Sequence, residues 1–264
     1  MLKKSIQNIL RNFGYELRRF DKRQGNLEVS IANDQYSVGF VRAFIEGNHY
    51  FVPKYAMHRP GVKSLLGGQF SEPRTHRFVE LVCSKQSGSI IHAGTFFGDM
   101  LPNFSRFTSG TVYAFEPVLE NYLLAKLSIE KNQLSNVILL NSALSVGITN
   151  LRINTMQGAG LHAGGGSTIQ DDGQICSSLN IDCLNAKDIL LIQLDVEGHE
   201  LMALRGAVET ITKCRPIIAI EDNGKNCDAF LKELKYELIK KIPGLDIWVP
   251  EEKQDLRKLV KQFC

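Results

Sequence analysis

Apolar positions change period along the chain, and the changes divide it into two parts. Over residues 2–20, Leu2, Ile6, Ile9, Leu10, Phe13, Leu17 and Phe20 recur at steps of three and four, with Lys3, Lys4, Arg11, Arg18 and Arg19 among them. This spacing predicts an amphipathic helix. Its apolar face needs cover from the body of the protein, from a second copy in a homo-oligomer, or from weak contact with a membrane surface. Residues 27–55 read as short strands: Tyr36, Val38 and Phe40 alternate, and Gly47-Asn48 marks a turn before His49-Tyr50-Phe51-Val52. Ser71-Glu72-Pro73 then opens a helix reaching about Cys83, with Ser71 as its N-cap.

From residue 89 onward short apolar runs alternate with longer amphipathic ones. Strands are expected at 89–93, 111–115, 137–141, 189–194 and 217–220, and helices at 99–107, 119–132 and 197–212. Segments 229–234, 237–240 and 247–249 complete the series. Such alternation predicts an α/β domain, doubly wound, with helices on both faces of a mostly parallel sheet. Ligands of such sheets lie beyond the carboxyl ends of the strands. One stretch breaks the rhythm: residues 157–173 hold six glycines and little apolar content, and read as a long flexible loop, either a mobile lid or a passive insertion. The expected division is an N-terminal extension over 1–70 and a catalytic domain over 71–264.

Composition narrows the class. A chain of 264 residues with 44% hydrophobic and 22% charged residues is ordinary globular material. No apolar run approaches the roughly 18 residues of a membrane span, and residues 1–20 lack the continuous apolar run of a secretion signal. Six cysteines without a two-residue gap fit reduced thiols in a cytoplasmic compartment. The net charge of +3 is split: residues 1–88 carry 14 Lys and Arg against 7 Asp and Glu, and the remainder is net acidic. That excess is too weak for a nucleic-acid partner.

The first chemical motif is Ile91-His92-Ala93-Gly94-Thr95-Phe96-Phe97-Gly98-Asp99. A strand ends, two glycines follow four apart, and a helix begins. Glu116 stands 22 residues past Gly94 at the end of the next strand, placed to accept hydrogen bonds from ribose hydroxyls. A dinucleotide site wants a second glycine two positions after the first, so that a pyrophosphate reaches the helix N-terminus. Phe96 occupies that place, which favours S-adenosylmethionine, a nucleoside without phosphate, over a dinucleotide. A dinucleotide-dependent oxidoreductase remains the alternative.

Further blocks are Val112-Tyr113-Ala114-Phe115-Glu116-Pro117 with Glu120-Asn121-Tyr122, then Asn141-Ser142-Ala143-Leu144, then Ile192-Gln193-Leu194-Asp195-Val196-Glu197-Gly198-His199-Glu200 with Leu204-Arg205-Gly206-Ala207. Pro216-Ile217-Ile218-Ala219-Ile220-Glu221 is the last. Over about residues 70–223 the chain resembles the FkbM family of S-adenosylmethionine-dependent methyltransferases. The resemblance implies a Rossmann-like class I methyltransferase fold, with a seven-stranded sheet and one antiparallel strand near its edge. It implies O-methylation of a hydroxyl on a sugar, glycan or small natural product. By position, Gly94 and Gly98 line the methionine and ribose side, Glu116 holds the ribose, Ser142 and Ala143 lie by the adenine, and Asp195 lies near the sulfonium. Thr95, Phe96, Asp99 and Pro117 complete the implied cofactor set. At His92 the chain departs from the family, which usually has an acid there; Asp99 or Glu72 is then left to balance the cofactor ammonium.

An alcohol acceptor must lose a proton as the methyl arrives. Asp195, Glu197 and His199 are the titratable groups at the mouth of the fourth strand, with Asp195 orienting and Glu197 or His199 as base. Glu221, ending the fifth strand, faces the same crevice. His92 reads as a buried, hydrogen-bonded histidine. No metal is required by any spacing. A catalytically degenerate binding protein is the reading from another class.

Overall fold

The computed structural model describes residues 23–31, 34–222 and 226–263. The helix expected over 2–20 lies outside the described residues.

Three antiparallel strands open the described chain: β1 (Gln24–Ile31), β2 (Asp34–Ile45) and β3 (Asn48–Pro53), in that spatial order. Two helices follow, α1 (Pro60–Leu66) and α2 (Pro73–Lys85). The cap of α2 is not Ser71 but Glu72, held at φ 48° with no side-chain cap bond; the Thr75 hydroxyl donates to its carboxylate at 3.1 Å. Then come β4 (Ser89–Ala93), α3 (Leu101–Phe107), β5 (Val112–Phe115), α4 (Leu119–Asn132) and β6 (Val137–Leu140). After an insertion that holds six short strands, the alternation resumes with β13 (Ile189–Leu194).

The insertion between β6 and β13 is folded, unlike the structureless loop expected for its glycine-rich part. β7 (Ala143–Leu144), β8 (Thr149–Asn154), β11 (Thr168–Gln170) and β12 (Gln174–Leu179) form a four-stranded sheet ordered β11-β8-β12-β7. Between β8 and β11, β9 (Met156–Gln157) pairs with β10 (Leu161–His162). One face of this sheet is apolar, with Ala143, Ile153 and Cys176 packed with Leu151, Ile169 and Val118, while Ile148 and Ile175 remain exposed.

Beyond β13 lie α5 (Glu200–Arg205), α6 (Val208–Cys214), β14 (Ile217–Ile220), α7 (Asp228–Glu233), β15 (Tyr236–Ile242), β16 (Leu245–Pro250) and α8 (Gln254–Gln262). The single helix expected over 197–212 is two. A Cβ at Gly206 would stand 2.0 Å from the Ser145 carbonyl oxygen, so only glycine fits where the two helices meet. The Asp182 carboxylate then caps the second helix by accepting from the Glu209 and Thr210 amides.

The main sheet has seven strands in the order β15-β16-β14-β13-β4-β5-β6. All neighbouring pairs are parallel except those of β16, which runs against both β14 and β15. This is the class I methyltransferase order, with its one reversed strand next to the edge. Strand alternation sends Ile90, Leu191 and Ile217 to a core under α2, α3 and α8. Ile91, Ile192 and Ile218 go to a second core under α5, α6 and α7. The N-terminal strands share a third core with α4: Val38, Phe40, Tyr50 and Val52 pack with Leu124 and Phe97. Asn132 locks this contact by exchanging two 2.7 Å hydrogen bonds with the main chain of His49.

Candidate active site

Strand register builds the site. Ala93 is level with Phe115 and with Leu194, and Leu194 is level with Ile220. Gly94, Glu116, Asp195 and Glu221 are therefore the first residues beyond four strands that end in one row. The chain runs outward from β4 to β6 on one side and from β13 to β14 on the other, so this row edges the switch-point crevice.

Gly94 has φ 87°, and a Cβ there would lie 1.8 Å from the Asp195 carbonyl oxygen. Only glycine lets the two strand exits approach so closely. The loop then passes through Phe96 at φ 50°, and the Phe96 amide donates to Glu116 Oε2 at 2.7 Å. The other oxygen of Glu116 accepts from the Val118 amide at 2.9 Å and from the Asn121 side chain at 3.2 Å. Burial pushes the Glu116 carboxyl up to about 7, against the pull of those donors. The Phe96 ring lies against Gly164 and Gly165. Thr95 and Gly98 face inward: the Thr95 hydroxyl bonds the His92 carbonyl, and Gly98 packs on Ala125.

Three recesses open from this row. The first is an apolar slot of about 40 Å³ with Phe115, Val118 and Leu144 on one side and Gly164, Gly165 and Ile169 on the other. Glu116, Pro117, Ser142 and Ala143 reach it as well. Its roof is the segment expected as a flexible loop. That roof is tied down: Asn121 donates to the Gly164 carbonyl at 3.4 Å, the Tyr55 ring stacks on His162 at 4.2 Å, and Tyr55 in turn donates to Asn121 at 2.7 Å. One buried amide thus joins Glu116, the roof and the N-terminal segment.

The second recess, about 290 Å³, runs toward Arg59, Ser71, Glu72 and Asp99. Burial and the neighbouring Glu72 push the Asp99 carboxyl up to about 7. The third, about 240 Å³, runs toward Glu221, Asp222 and Asn226. Asp195 and Glu197 line all three recesses. Burial, the neighbouring charges and a hydrogen bond with Glu221 raise the Asp195 carboxyl well above the usual range. Glu197 is raised too, by burial and by Glu221, with Arg59 opposing.

The turn that presents Glu197 is strained, with φ 54° at Glu197 and 96° at Gly198. Buried Glu200 holds it, accepting from the Val196 amide at 3.0 Å and the Gly198 amide at 3.2 Å. His199 shares the apolar slot with Asp195 and Glu197. Its Nε2 meets the Ser145 hydroxyl at 3.1 Å, and its ring lines the apolar slot rather than the acidic recesses. His92 is buried as expected, with Nδ1 bonded to Gln193, and burial lowers it to about 4, so it is neutral. Among the described residues no group of three or more His, Cys, Asp or Glu is arranged to hold a metal.

The sequence profile of the methyltransferase FkbM domain matches residues 92–238, more than half of the chain. The chain belongs to the FkbM methyltransferase family. Among solved structures, an FkbM methyltransferase from Methylobacillus flagellatus KT is 17% identical with a TM-score of 0.46, covering 62% of this chain and 43% of its own. A SAM-dependent methyltransferase from Aquifex aeolicus is 16% identical with a TM-score of 0.40, covering 67% and 87%. The T. thermophilus 16S rRNA N2 G1207 methyltransferase is 10% identical with a TM-score of 0.42, covering 90% and 53%. This chain thus spans less than half of the Methylobacillus structure. No curated protein matches it.

The match begins at His92, so Arg59, Ser71 and Glu72 reach the crevice of this FkbM family member from outside the matched region. Sequence reasoning missed Arg59, Asn121 and Glu200. Glu200 had a readable signal, an acid in the first turn of a helix beside free amides. Arg59 had none, because its contact with the crevice depends on how the N-terminal layer packs.

Proposed function

We propose that this protein transfers a methyl group from S-adenosylmethionine to a hydroxyl of a sugar, glycan or small natural product, with the acceptor in the recess beside Glu221. The observation that carries this reading is the meeting of three chemically distinct recesses at Asp195 and Glu197. The apolar slot with Glu116 at its edge suits an adenosine, the recess of Asp99 and Glu72 suits an amino-acid arm, and the polar recess suits a hydroxyl-rich acceptor. The fit extends to charge, since the cofactor brings a sulfonium and an ammonium to a carboxylate-rich junction. A pyrophosphate fits poorly, because the Phe96 amide that would meet it is already donated to Glu116.

When bound, S-adenosylmethionine supplies the methyl group and a neutral thioether leaving group. The chain's own contribution is to hold the acceptor oxygen in line and to take its proton. Asp195, fixed between strand ends, orients the pair. Glu197, on its strained turn and with a raised affinity for protons, is the base.

The slot as it stands, about 40 Å³, has room for only a few waters at roughly 10–15 Å³ each. Entry therefore requires the Gly164–Gly166 stretch to lift. The test of acceptor class is transfer of labelled methyl to a panel of oligosaccharides, hydroxylated small molecules, amines and RNA. Alkali-stable label in a hydroxylated acceptor is expected. Label confined to an amine or to RNA would overturn the acceptor assignment and leave the cofactor assignment standing.

A further inference from the structure

Arg59 immediately precedes α1 and lines the second recess. The charged residues lining that recess are otherwise all acidic: Glu72, Asp99, Asp195 and Glu197. Among the described residues, its guanidinium has no hydrogen-bond partner. Glu197 feels it electrostatically. Its position is prepared by the roof, since a Cβ at Gly166 would lie 3.0 Å from one terminal nitrogen of Arg59 and 3.1 Å from the other. A side chain at 166 would push the guanidinium out of place.

An acidic recess with a single guanidinium at one end has the charge pattern of a zwitterion's complement. A ligand carrying an ammonium and a carboxylate two bonds apart can satisfy Asp99 and Glu72 with the first, but its carboxylate is repelled everywhere except near Arg59. The planar fork of arginine matches a carboxylate by two parallel hydrogen bonds. We infer that Arg59, contributed from outside the matched methyltransferase domain, binds the α-carboxylate of the cofactor's amino-acid arm. This rests on the cofactor reading above. It makes the N-terminal layer part of the cofactor site, and it gives the closing roof a direct contact with the bound arm through the guanidinium under Gly166.

The test compares two ligands that share the nucleoside and thioether but differ in the arm. S-adenosylhomocysteine has the amino-acid arm, and 5′-methylthioadenosine lacks it. By calorimetry on the full chain, Arg59→Ala is expected to weaken S-adenosylhomocysteine about 10- to 100-fold, the usual range for a charged hydrogen-bonded contact, and to leave methylthioadenosine within about two-fold. Arg59→Lys, which keeps charge but not the fork, is expected to fall between wild type and Arg59→Ala. Equal weakening of both ligands would show that Arg59 only supports the fold of the crevice, and unchanged S-adenosylhomocysteine binding would show that it does not touch the arm; either overturns the inference. If neither ligand binds the wild type, the underlying cofactor reading fails instead.

Discussion

Replacing Glu116 by glutamine is expected to weaken S-adenosylhomocysteine binding about 10- to 100-fold while the chain stays folded. The carboxylate stands at the edge of the apolar slot, where the ribose of an adenosine would lie. Its two oxygens already organise the loop, through Phe96, and the start of α4, through Val118 and Asn121. An amide in its place turns one acceptor into a donor facing an N–H group, so the Tm should fall as well. A pH dependence follows. Glu116 and Asp99 both hold protons up to about pH 7. The ligand's ribose hydroxyls and ammonium favour the ionised carboxylates. Affinity should then be greatest above about pH 7 and decline as the pH falls through it, with protons released on binding. Glu116→Gln should flatten part of that decline. Calorimetry across pH 6–8 in buffers of different ionisation enthalpy reads both effects. Binding that is insensitive to both Glu116→Gln and pH would remove Glu116 from the site.

Asp195→Asn and Glu197→Gln are each expected to lower kcat by about 10²- to 10⁴-fold on the true acceptor, with cofactor affinity within a few-fold of wild type. These two side chains stand where the three recesses meet, and the chemistry has to occur at that junction. His199→Ala is expected to raise the cofactor Kd more than it lowers kcat, because the ring faces the slot and Ser145. With Glu197 as base the rate should fall on acidification as its carboxyl, already raised by burial, takes up a proton. Normal turnover of both carboxylate variants would mean that the acceptor proton leaves by another route. A loss confined to His199→Ala would restore the histidine as base.

Much of this arrangement was legible in the residues. Buried parallel strands announce themselves as apolar runs such as 189–194, and each run ends at a chemically distinct residue: Gly94, Glu116, Asp195 or Glu221. The Ala-Phe-Glu-Pro and Asp-Val-Glu-Gly-His-Glu strings carried the family. The four-stranded sheet of the insertion was not legible, because its strands are short and its small apolar cluster is assembled from single residues of separate strands. Even so, Leu151 and Ile153 alternate within β8, a faint signal under the surrounding glycines. The requirement for glycine at 206 was hidden for a different reason: it comes from the Ser145 carbonyl, 61 positions away in the chain and in contact only after folding. The side chain of His199 shows the same limit. Proximity to Asp195 in sequence suggested a base, but the turn held by Glu200 aims the ring at Ser145.

The most direct measurement of the central claim is a calorimetric titration of the full chain with S-adenosylhomocysteine and, separately, with NAD. The arrangement of Glu116, Phe96 and the carboxylate-lined junction predicts saturable one-to-one binding of S-adenosylhomocysteine and no binding of NAD. Saturable NAD binding without a response to S-adenosylhomocysteine would contradict it.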